Sequence, residues 1–174
     1  MKTILFLRHA KSDWNDPIPA DFDRPLTQRG LEDAPRMGEV LDLFQCVPDI
    51  ILSSPALRAK QTTQLAARAC GYGGSIHSED SFYGGGSRDL ILALQRLPDT
   101  LERPLLVGHN PTLEETVSAL LVQRQEGWQE DTAIRMPTAG LVCLEVDITA
   151  WADLGPGKGV LQWFLIPKLV RAIQ

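Results

Sequence analysis

Side chains that could bind an anion or act as a nucleophile follow three apolar segments of the chain. The segments are residues 3–7, 49–54 and 104–108. Arg8 and His9 come directly after the first segment. Arg58 follows the second within a turn of helix, and His109 follows the third. A guanidinium group can bind two anionic oxygens at once, and a neutral imidazole is a nucleophile. These residue types predict an anion site in which a histidine takes part in the chemistry.

The elements that carry these residues have the pattern of an α/β protein. Short continuous apolar runs are typical of buried parallel strands. Helical spacing begins near Thr27, Pro55 and Pro111, where a capping threonine or a proline in the first turn is expected. Further strands are predicted at residues 75–78, 141–146 and 160–166, the first of them at an edge. We expect a three-layer α/β/α sandwich with a mainly parallel sheet, formed by one domain, residues 1–174.

Parallel strands would bring the reactive side chains together. The carboxyl ends of such strands meet at one edge of the sheet, where open α/β proteins bind their ligands. The helix near Pro111 would add its N-terminus, which favours an anion. Neighbouring cations disfavour the protonation of a histidine and leave its imidazole free to attack. We therefore predict a pocket for a phosphate dianion formed by Arg8, His9, Arg58 and His109.

Simpler interpretations exist for the single residues. An isolated histidine is most often a satisfied core or surface residue, and we expect this of His77. His109 precedes Asn110-Pro111 and could belong to a helix-capping turn. Three separate strand ends that all deliver cationic or imidazole groups are harder to explain by packing. A metal site fits less well, because the histidines lack ligand partners at local spacing, so no metal is predicted.

Four short motifs, in order along the chain, resemble the histidine phosphatase superfamily, which is phosphoglycerate mutase-like. They are Leu7-Arg8-His9-Ala10-Lys11-Ser12, Asp23-Arg24-Pro25-Leu26-Thr27 with Gly30, Ser53-Ser54-Pro55 with Arg58-Ala59 and Gln61-Thr62, and Val107-Gly108-His109-Asn110-Pro111. Ala10 replaces the glycine that is frequent in the first motif. The resemblance covers residues 2–146. The short chain without an inserted cap segment is similar to the SixA-type phosphohistidine phosphatase branch.

The resemblance implies a metal-independent phosphatase that needs no cofactor. His9 would take the phosphoryl group and become a phosphohistidine, which water then hydrolyses. The residues that bind the phosphoryl oxygens or the rest of the substrate would be Arg8, Arg24, Arg58, His109 and Asn110. Charge on these oxygens must be stabilised through the transition state, which is work that arginines can do.

The general acid is the least defined member of this site. Larger relatives place a glutamate shortly before a Tyr-Gly pair, and the matching stretch, residues 79–84, makes Asp80 the candidate. Asp13, Asp21 and Asp23 of the first loop are rivals, and Asp80 could instead be a solvated turn residue. A phosphohistidine substrate would need less help from an acid, because imidazole, with a pKa of about 6.5, is far less basic than an alkoxide.

The composition excludes other classes of function. Its 17 Lys and Arg against 22 Asp and Glu give a net charge of −5 without a basic run, so no nucleic-acid partner is expected. Three widely spaced cysteines without a Cys-x-x-Cys favour a reducing compartment. No apolar stretch approaches the ~18 residues of a membrane span, so we predict a cytoplasmic protein without a membrane partner.

Two kinds of substrate and one non-enzymatic function remain open. A pocket without a cap suits a phosphorylated protein, for example a histidine phosphotransfer domain. A small phosphorylated molecule is the alternative substrate. A non-catalytic module that binds phosphorylated partners is the third interpretation, although a pure binder has no use for a nucleophile.

Overall fold

One mixed sheet organises the protein. The computed structural model describes residues 1–14, 20–121 and 134–173. The strands are β1 (Lys2–Arg8), β2 (Ile50–Ser53), β3 (Ile76–Ser78), β4 (Pro104–Gly108), β5 (Leu141–Val146) and β6 (Gly159–Leu165). Their order across the sheet is β3-β2-β4-β1-β5-β6. The first four in this order are parallel, whereas β5 and β6 run antiparallel to their neighbours. The predicted, mainly parallel sheet is confirmed.

Helices cover both faces of this sheet. They are α1 (Gln28–Leu43), α2 (Leu57–Ala69), α3 (Ser81–Gly84), α4 (Ser87–Gln95), α5 (Thr112–Leu120) and α6 (Pro167–Ile173). Short 3-10 helices lie at Asp21–Asp23 and Trp151–Asp153. Residues of α1, α2 and α6 share a core with one face, and residues of α3, α4 and α5 share a core with the other. The three-layer α/β/α architecture is confirmed.

The central strand β1 explains why its sequence is continuously apolar. Leu5 and Leu7 belong to the core on one face, and Ile4 and Phe6 belong to the core on the other. None of the four side chains is exposed to solvent. A strand covered on both faces needs apolar residues at every position, in contrast to the alternation of a half-exposed strand.

The register of the strands brings the candidate residues to one edge of the sheet. Arg8, the last residue of β1, pairs with Gly108, the last residue of β4. Ser53, the last residue of β2, pairs with Val107 on the other side of β4. The segments that follow β1, β2 and β4 therefore leave the sheet at the same level.

Part of the loop after β1 forms regular structure. Residues 21–23 form a 3-10 helix, and residues 15–19 of the same loop lie outside the described residues. Thr27 then caps α1 by accepting a hydrogen bond from Gly30 N–H at 3.1 Å. Within the described part of the chain, no helix combines the length and apolar character needed to cross a membrane.

Candidate active site

His9 lies at the carboxyl end of β1, where neighbouring segments fix its backbone. Its N–H donates to the carbonyl of Gly108 at 3.0 Å, and its carbonyl accepts from Ala139 N–H at 3.1 Å. Only 7% of the residue is exposed. The backbone of His9 is thus held by β4 and by the turn that precedes β5.

Hydrogen bonding determines which ring nitrogen of His9 is free. Nδ1 lies 2.8 Å from the carbonyl oxygen of Ala10. A carbonyl can only accept, so Nδ1 carries the hydrogen and Nε2 keeps its lone pair. Burial is the main cause that lowers the pKa of His9 to about 3; the bond to Ala10 opposes this effect, and electrostatic repulsion by His109, Arg58 and Arg8 adds to it. At neutral pH the ring is uncharged and Nε2 is a competent nucleophile.

His109 stands beside His9, with 5.1 Å between the ring centroids. Ser54 Oγ lies 2.7 Å from His109 Nε2 and accepts a hydrogen bond from Ala56 N–H at 3.3 Å. A serine hydroxyl that donates its own hydrogen to Nε2 leaves the ring hydrogen on Nδ1. Burial first, and then the charge of Arg58, lower the pKa of His109 to about 4. His109 is thus neutral at physiological pH, and in the tautomer in which Ser54 donates to Nε2 it is a donor through Nδ1.

Arg8 and Arg58 supply positive charge to the site. Arg8 Nη1 donates to the carbonyl of Met136 at 2.7 Å. Arg58 Nη1 and Nη2 donate to the carbonyl and to Oδ2 of Asp21, at 2.7 and 3.0 Å. The Nε atoms of both arginines and Nδ1 of His109 are buried and have no partner among the described residues. Unpaired buried donors are unfavourable, and an anion would satisfy all three.

Arg24 reaches the site from the first loop and is held by that loop. Its Nε and Nη2 donate to Asp21 Oδ1 at 3.2 and 2.7 Å, and its Nη1 donates to Ser12 Oγ. The guanidinium carbon lies 3.6 Å from the centroid of the Trp14 ring. Asp21 Oδ2 also accepts from the hydroxyl of Tyr83 at 3.2 Å. All three nitrogens of Arg24 thus have acceptors in the protein, and its contact with substrate stays a prediction.

Two buried hydroxyl residues support the site without having been predicted to do so. Ser54 forms a hydrogen bond with His109, and Thr62 connects the backbone of Ala10, next to His9, to α2. Thr62 Oγ1 accepts from Ala10 N–H at 2.9 Å and donates to the carbonyl of Arg58 at 2.7 Å. Both residues are fully buried. The signal in the sequence was their place in the motifs Ser53-Ser54-Pro55 and Gln61-Thr62, and their burial explains it, because buried polar residues usually have a hydrogen-bonding role.

Other predicted residues are placed with less direct contact to this cluster. Asp80 directly precedes α3, is exposed and makes no capping hydrogen bond. Asn110 Nδ2 donates to Glu114 Oε1 at 2.7 Å and to the carbonyl of Met136 at 2.9 Å, so both amide hydrogens are used. Asn110 therefore fixes the segment that also binds Arg8, and its contact with substrate stays a prediction. His77 is exposed on the edge strand β3.

The described residues offer cations rather than metal ligands. Among them, no group of three or more histidine, cysteine, aspartate or glutamate side chains is placed to hold a metal ion. The three cysteines are free thiols. Helix α5 begins just after His109, and the N–H of Leu113 in its first turn donates to the His109 carbonyl at 2.9 Å. The site thus combines three guanidinium groups, two neutral imidazoles and one carboxylate in contact with the arginines.

Known proteins are similar to this chain in both sequence and structure. A model of the histidine phosphatase superfamily (branch 1) matches residues 4–82. An uncharacterized protein of Mycobacterium tuberculosis (strain H37Rv) is 33% identical over 168 residues, which span 93% of this chain and 100% of the relative.

Two solved structures extend this similarity to the whole fold. A chain from Agrobacterium tumefaciens, provisionally named phosphohistidine phosphatase SixA, is 32% identical with a TM-score of 0.78, covering 95% of this chain and 98% of that one. A chain from Nakamurella multipartitia with the same provisional name is 27% identical with a TM-score of 0.82, covering 95% and 96%. The protein belongs to the histidine phosphatase superfamily and is of the SixA type.

Proposed function

We propose that the protein is a phosphatase that transfers a phosphoryl group to His9 Nε2 and then to water, and that its substrate is a phosphohistidine on a signalling protein. One observation carries the proposal: His9 is neutral, and its free Nε2 lies in a cluster whose buried N–H donors lack acceptors. A prepared nucleophile together with unpaired donors suits attack on a phosphoryl centre.

The first step needs no base to activate the nucleophile. His9 Nε2 forms a bond to phosphorus while the bond between phosphorus and the leaving atom breaks. The imidazole acquires a positive charge, and its Nδ1–H bond to the Ala10 carbonyl becomes charge-assisted and stronger. The backbone contact that orients the ring would therefore also stabilise the phosphoenzyme.

Charge on the transferring group would be stabilised by the unpaired donors. Arg8 Nε, Arg58 Nε and His109 Nδ1 are available for the oxygens, which carry the charge in the transition state. Preorganised donors of this kind are each associated with about 10²–10³ in rate when removed singly. Two guanidinium groups supply the neutralising charge that other phosphatases obtain from metal ions, which supports activity without a metal.

The second step regenerates the enzyme. Water attacks phosphorus on the side opposite Nε2, the new oxygen–phosphorus bond forms and the nitrogen–phosphorus bond breaks. The electron pair returns to Nε2, whose low pKa keeps it unprotonated for the next cycle. Inorganic phosphate then leaves the arginines.

Access to the site supports a substrate carried by a protein. The side chain of Asp21 is 45% exposed and Trp14 is 72% exposed, so groups that contact the cationic cluster are open to solvent. A phosphohistidine also demands little of an acid, because its leaving imidazole is weakly basic. The two related structures carry the provisional name phosphohistidine phosphatase, which also supports a phosphohistidine substrate. Free cysteines fit a cytoplasmic partner, such as a histidine phosphotransfer domain.

A substrate panel tests the proposal. kcat/KM is measured for a phosphorylated histidine phosphotransfer domain, phosphoserine, a sugar phosphate and p-nitrophenyl phosphate. We expect the phosphohistidine protein to give the highest value. His9→Asn should be inactive on every substrate, whereas His77→Asn, the matched change at an exposed histidine, should keep wild-type activity. A sugar phosphate that outperforms the phosphoprotein would make the enzyme a small-molecule phosphomonoesterase, and stoichiometric binding of the phosphoprotein without turnover would indicate a binding module.

A further inference from the structure

We propose that Asp21 is the proton-carrying catalytic residue, which protonates the leaving atom in the first step and deprotonates the attacking water in the second. The inference rests on the phospho-His9 mechanism proposed above. It assigns to a residue of the first loop the function that the motif comparison assigned to Asp80.

The position of Asp21 relative to His9 is the first reason. Successive ring contacts connect the buried His9 with the exposed Tyr83: the His9 and His109 rings are 5.1 Å apart, and the His109 and Tyr83 rings are 5.7 Å apart. The Tyr83 hydroxyl is 3.2 Å from Asp21 Oδ2. In-line transfer sends the leaving group away from Nε2, and water later arrives from the same side. With the nucleophile at the buried end, that side is the exposed end, where Asp21 stands.

The contacts of Arg58 are the second reason. Arg58 Nη2 holds Asp21 Oδ2 at 3.0 Å, and Nη1 holds the Asp21 carbonyl at 2.7 Å. Nε of the same guanidinium is buried and unpaired. A phosphoryl oxygen on Nε and the carboxylate on Nη2 would therefore be separated by no more than the width of one guanidinium group. Asp21 would then be within reach of an atom bonded to phosphorus.

The ion pairs keep Asp21 ionised in the free enzyme, and bound substrate would favour its protonated form. Partial burial raises the pKa of Asp21, but the hydrogen bond to Arg24 and the charges of Arg58 and Arg24 outweigh this effect and lower the pKa overall. Bound phosphate adds negative charge and competes for Arg58, and both changes favour the protonated acid. A substrate that binds as a monoanion brings the required proton with it.

The protons balance over the two steps. Asp21 gives its proton to the leaving oxygen or nitrogen as that atom separates from phosphorus, and becomes a carboxylate. The carboxylate takes one proton from water as the oxygen–phosphorus bond forms and the nitrogen–phosphorus bond to His9 breaks. The products are the protonated leaving group and phosphate, and Asp21 passes its proton to phosphate or solvent.

Single-turnover kinetics of Asp21→Asn test this assignment. Rapid-quench measurements follow formation and breakdown of the phosphoenzyme with p-nitrophenyl phosphate and with β-glycerophosphate. Formation from the nitrophenyl ester, whose leaving group needs no proton, should stay close to the wild-type rate. Formation from the alkyl ester should fall on the order of 10²-fold or more, and breakdown of the phosphoenzyme should slow on the order of 10²-fold from either substrate. The phosphoenzyme should therefore accumulate in the variant during turnover of the nitrophenyl ester.

Matched variants separate this role from the others open to Asp21. Asp23→Asn, on the same 3-10 helix, and Asp80→Asn should both behave as wild type. Asp21→Glu keeps a carboxylate and should recover most of the rate of phosphoenzyme breakdown, which provides a test if Asp21→Asn proves unstable. Equal losses with both substrates and no accumulation would show that Asp21 only orients Arg24 and Arg58, and overturn the assignment. Wild-type kinetics in Asp21→Asn, or a large loss in Asp80→Asn restricted to the alkyl ester, would overturn it as well. Absence of a phosphoenzyme in the wild type would instead overturn the proposed function on which it rests.

Discussion

Replacing Ser54 by alanine removes one hydroxyl and tests whether the tautomer of His109 matters for the reaction. In the native protein this hydroxyl accepts from Ala56 N–H and lies 2.7 Å from His109 Nε2, to which we expect it to donate. Without it, Nε2 is an acceptor that has lost its donor, and the ring can move its hydrogen from Nδ1 to Nε2. Nδ1 would then direct a lone pair, rather than a hydrogen, towards the phosphoryl oxygens.

Two energies bracket the effect of Ser54→Ala. A buried polar group that loses its hydrogen-bond partner costs about 1–3 kcal/mol, so the free energy of unfolding should fall by about that amount. For a chain of this size each kcal/mol lost lowers Tm by about 2–4 °C. Complete loss of a donor to the transition state costs about 10²–10³ in kcat, and because His109 itself remains, we expect a decrease of about 10–100-fold with a smaller change in KM.

Ser53→Ala is the matched control for this prediction. Ser53 is the neighbouring residue and is also buried, but its Oγ lies 2.8 Å from Thr63 Oγ1 instead of a histidine. Its replacement should cost a similar amount of stability and leave kcat unchanged. kcat, KM and Tm are measured for both variants and for Ser54→Thr, which keeps a hydroxyl and should recover activity. Equal kcat values in Ser54→Ala and Ser53→Ala would refute the role given to the tautomer.

Three further predictions concern pH, anions and charge geometry. Because the pKa of His9 is about 3 in the folded protein and about 6.5 in the unfolded chain, the unfolded chain holds more protons between these values. The contribution of neutral His9 to stability is therefore complete above about pH 6.5 and is lost as the pH falls towards 3. At pH 5 the loss is about 2 kcal/mol. The free energy of unfolding in urea should therefore depend less on pH in His9→Asn than in the wild type. Identical pH dependences would contradict this. EDTA should leave kcat unchanged and vanadate should compete with substrate, whereas loss of activity on chelation and recovery with a divalent ion would assign a metal to the site. Arg58→Lys should lower kcat/KM strongly, because lysine lacks the Nε–H and the planar fork that Arg58 uses; a value close to wild type would show that charge alone suffices.

The meeting of Arg8, His9, Arg58 and His109 could be predicted because local sequence determines it. β1 and β4 are buried on both faces, so their apolar runs mark their ends, and parallel neighbours must end at the same edge of the sheet. α2 begins at Leu57, shortly after β2 ends at Ser53, which places Arg58 within its first turn. Predicting that these residues meet required no knowledge of side-chain contacts.

The parts of the site that could not be predicted depend on contacts between distant residues. Ser54 and His109 are 55 positions apart, and Asp21 meets Tyr83 across 62 positions. Hydrophobic periodicity does not report the path of a loop, so Asp21 could not be distinguished from Asp13 and Asp23. The antiparallel direction of β5 and β6 was also undetermined, because their apolar runs read the same in either direction.

Locating the phosphate on the trapped enzyme tests the central claim most directly. Wild-type protein is quenched in alkaline denaturant during turnover of p-nitrophenyl phosphate, which preserves an acid-labile phosphohistidine, and is then digested and examined by mass spectrometry and by ³¹P–¹H NMR. We predict one phosphoryl group, bonded to Nε2 of His9 and absent from His9→Asn. Phosphate on His109 or on Nδ1 of His9, or turnover by His9→Asn at the wild-type rate, would contradict the mechanism.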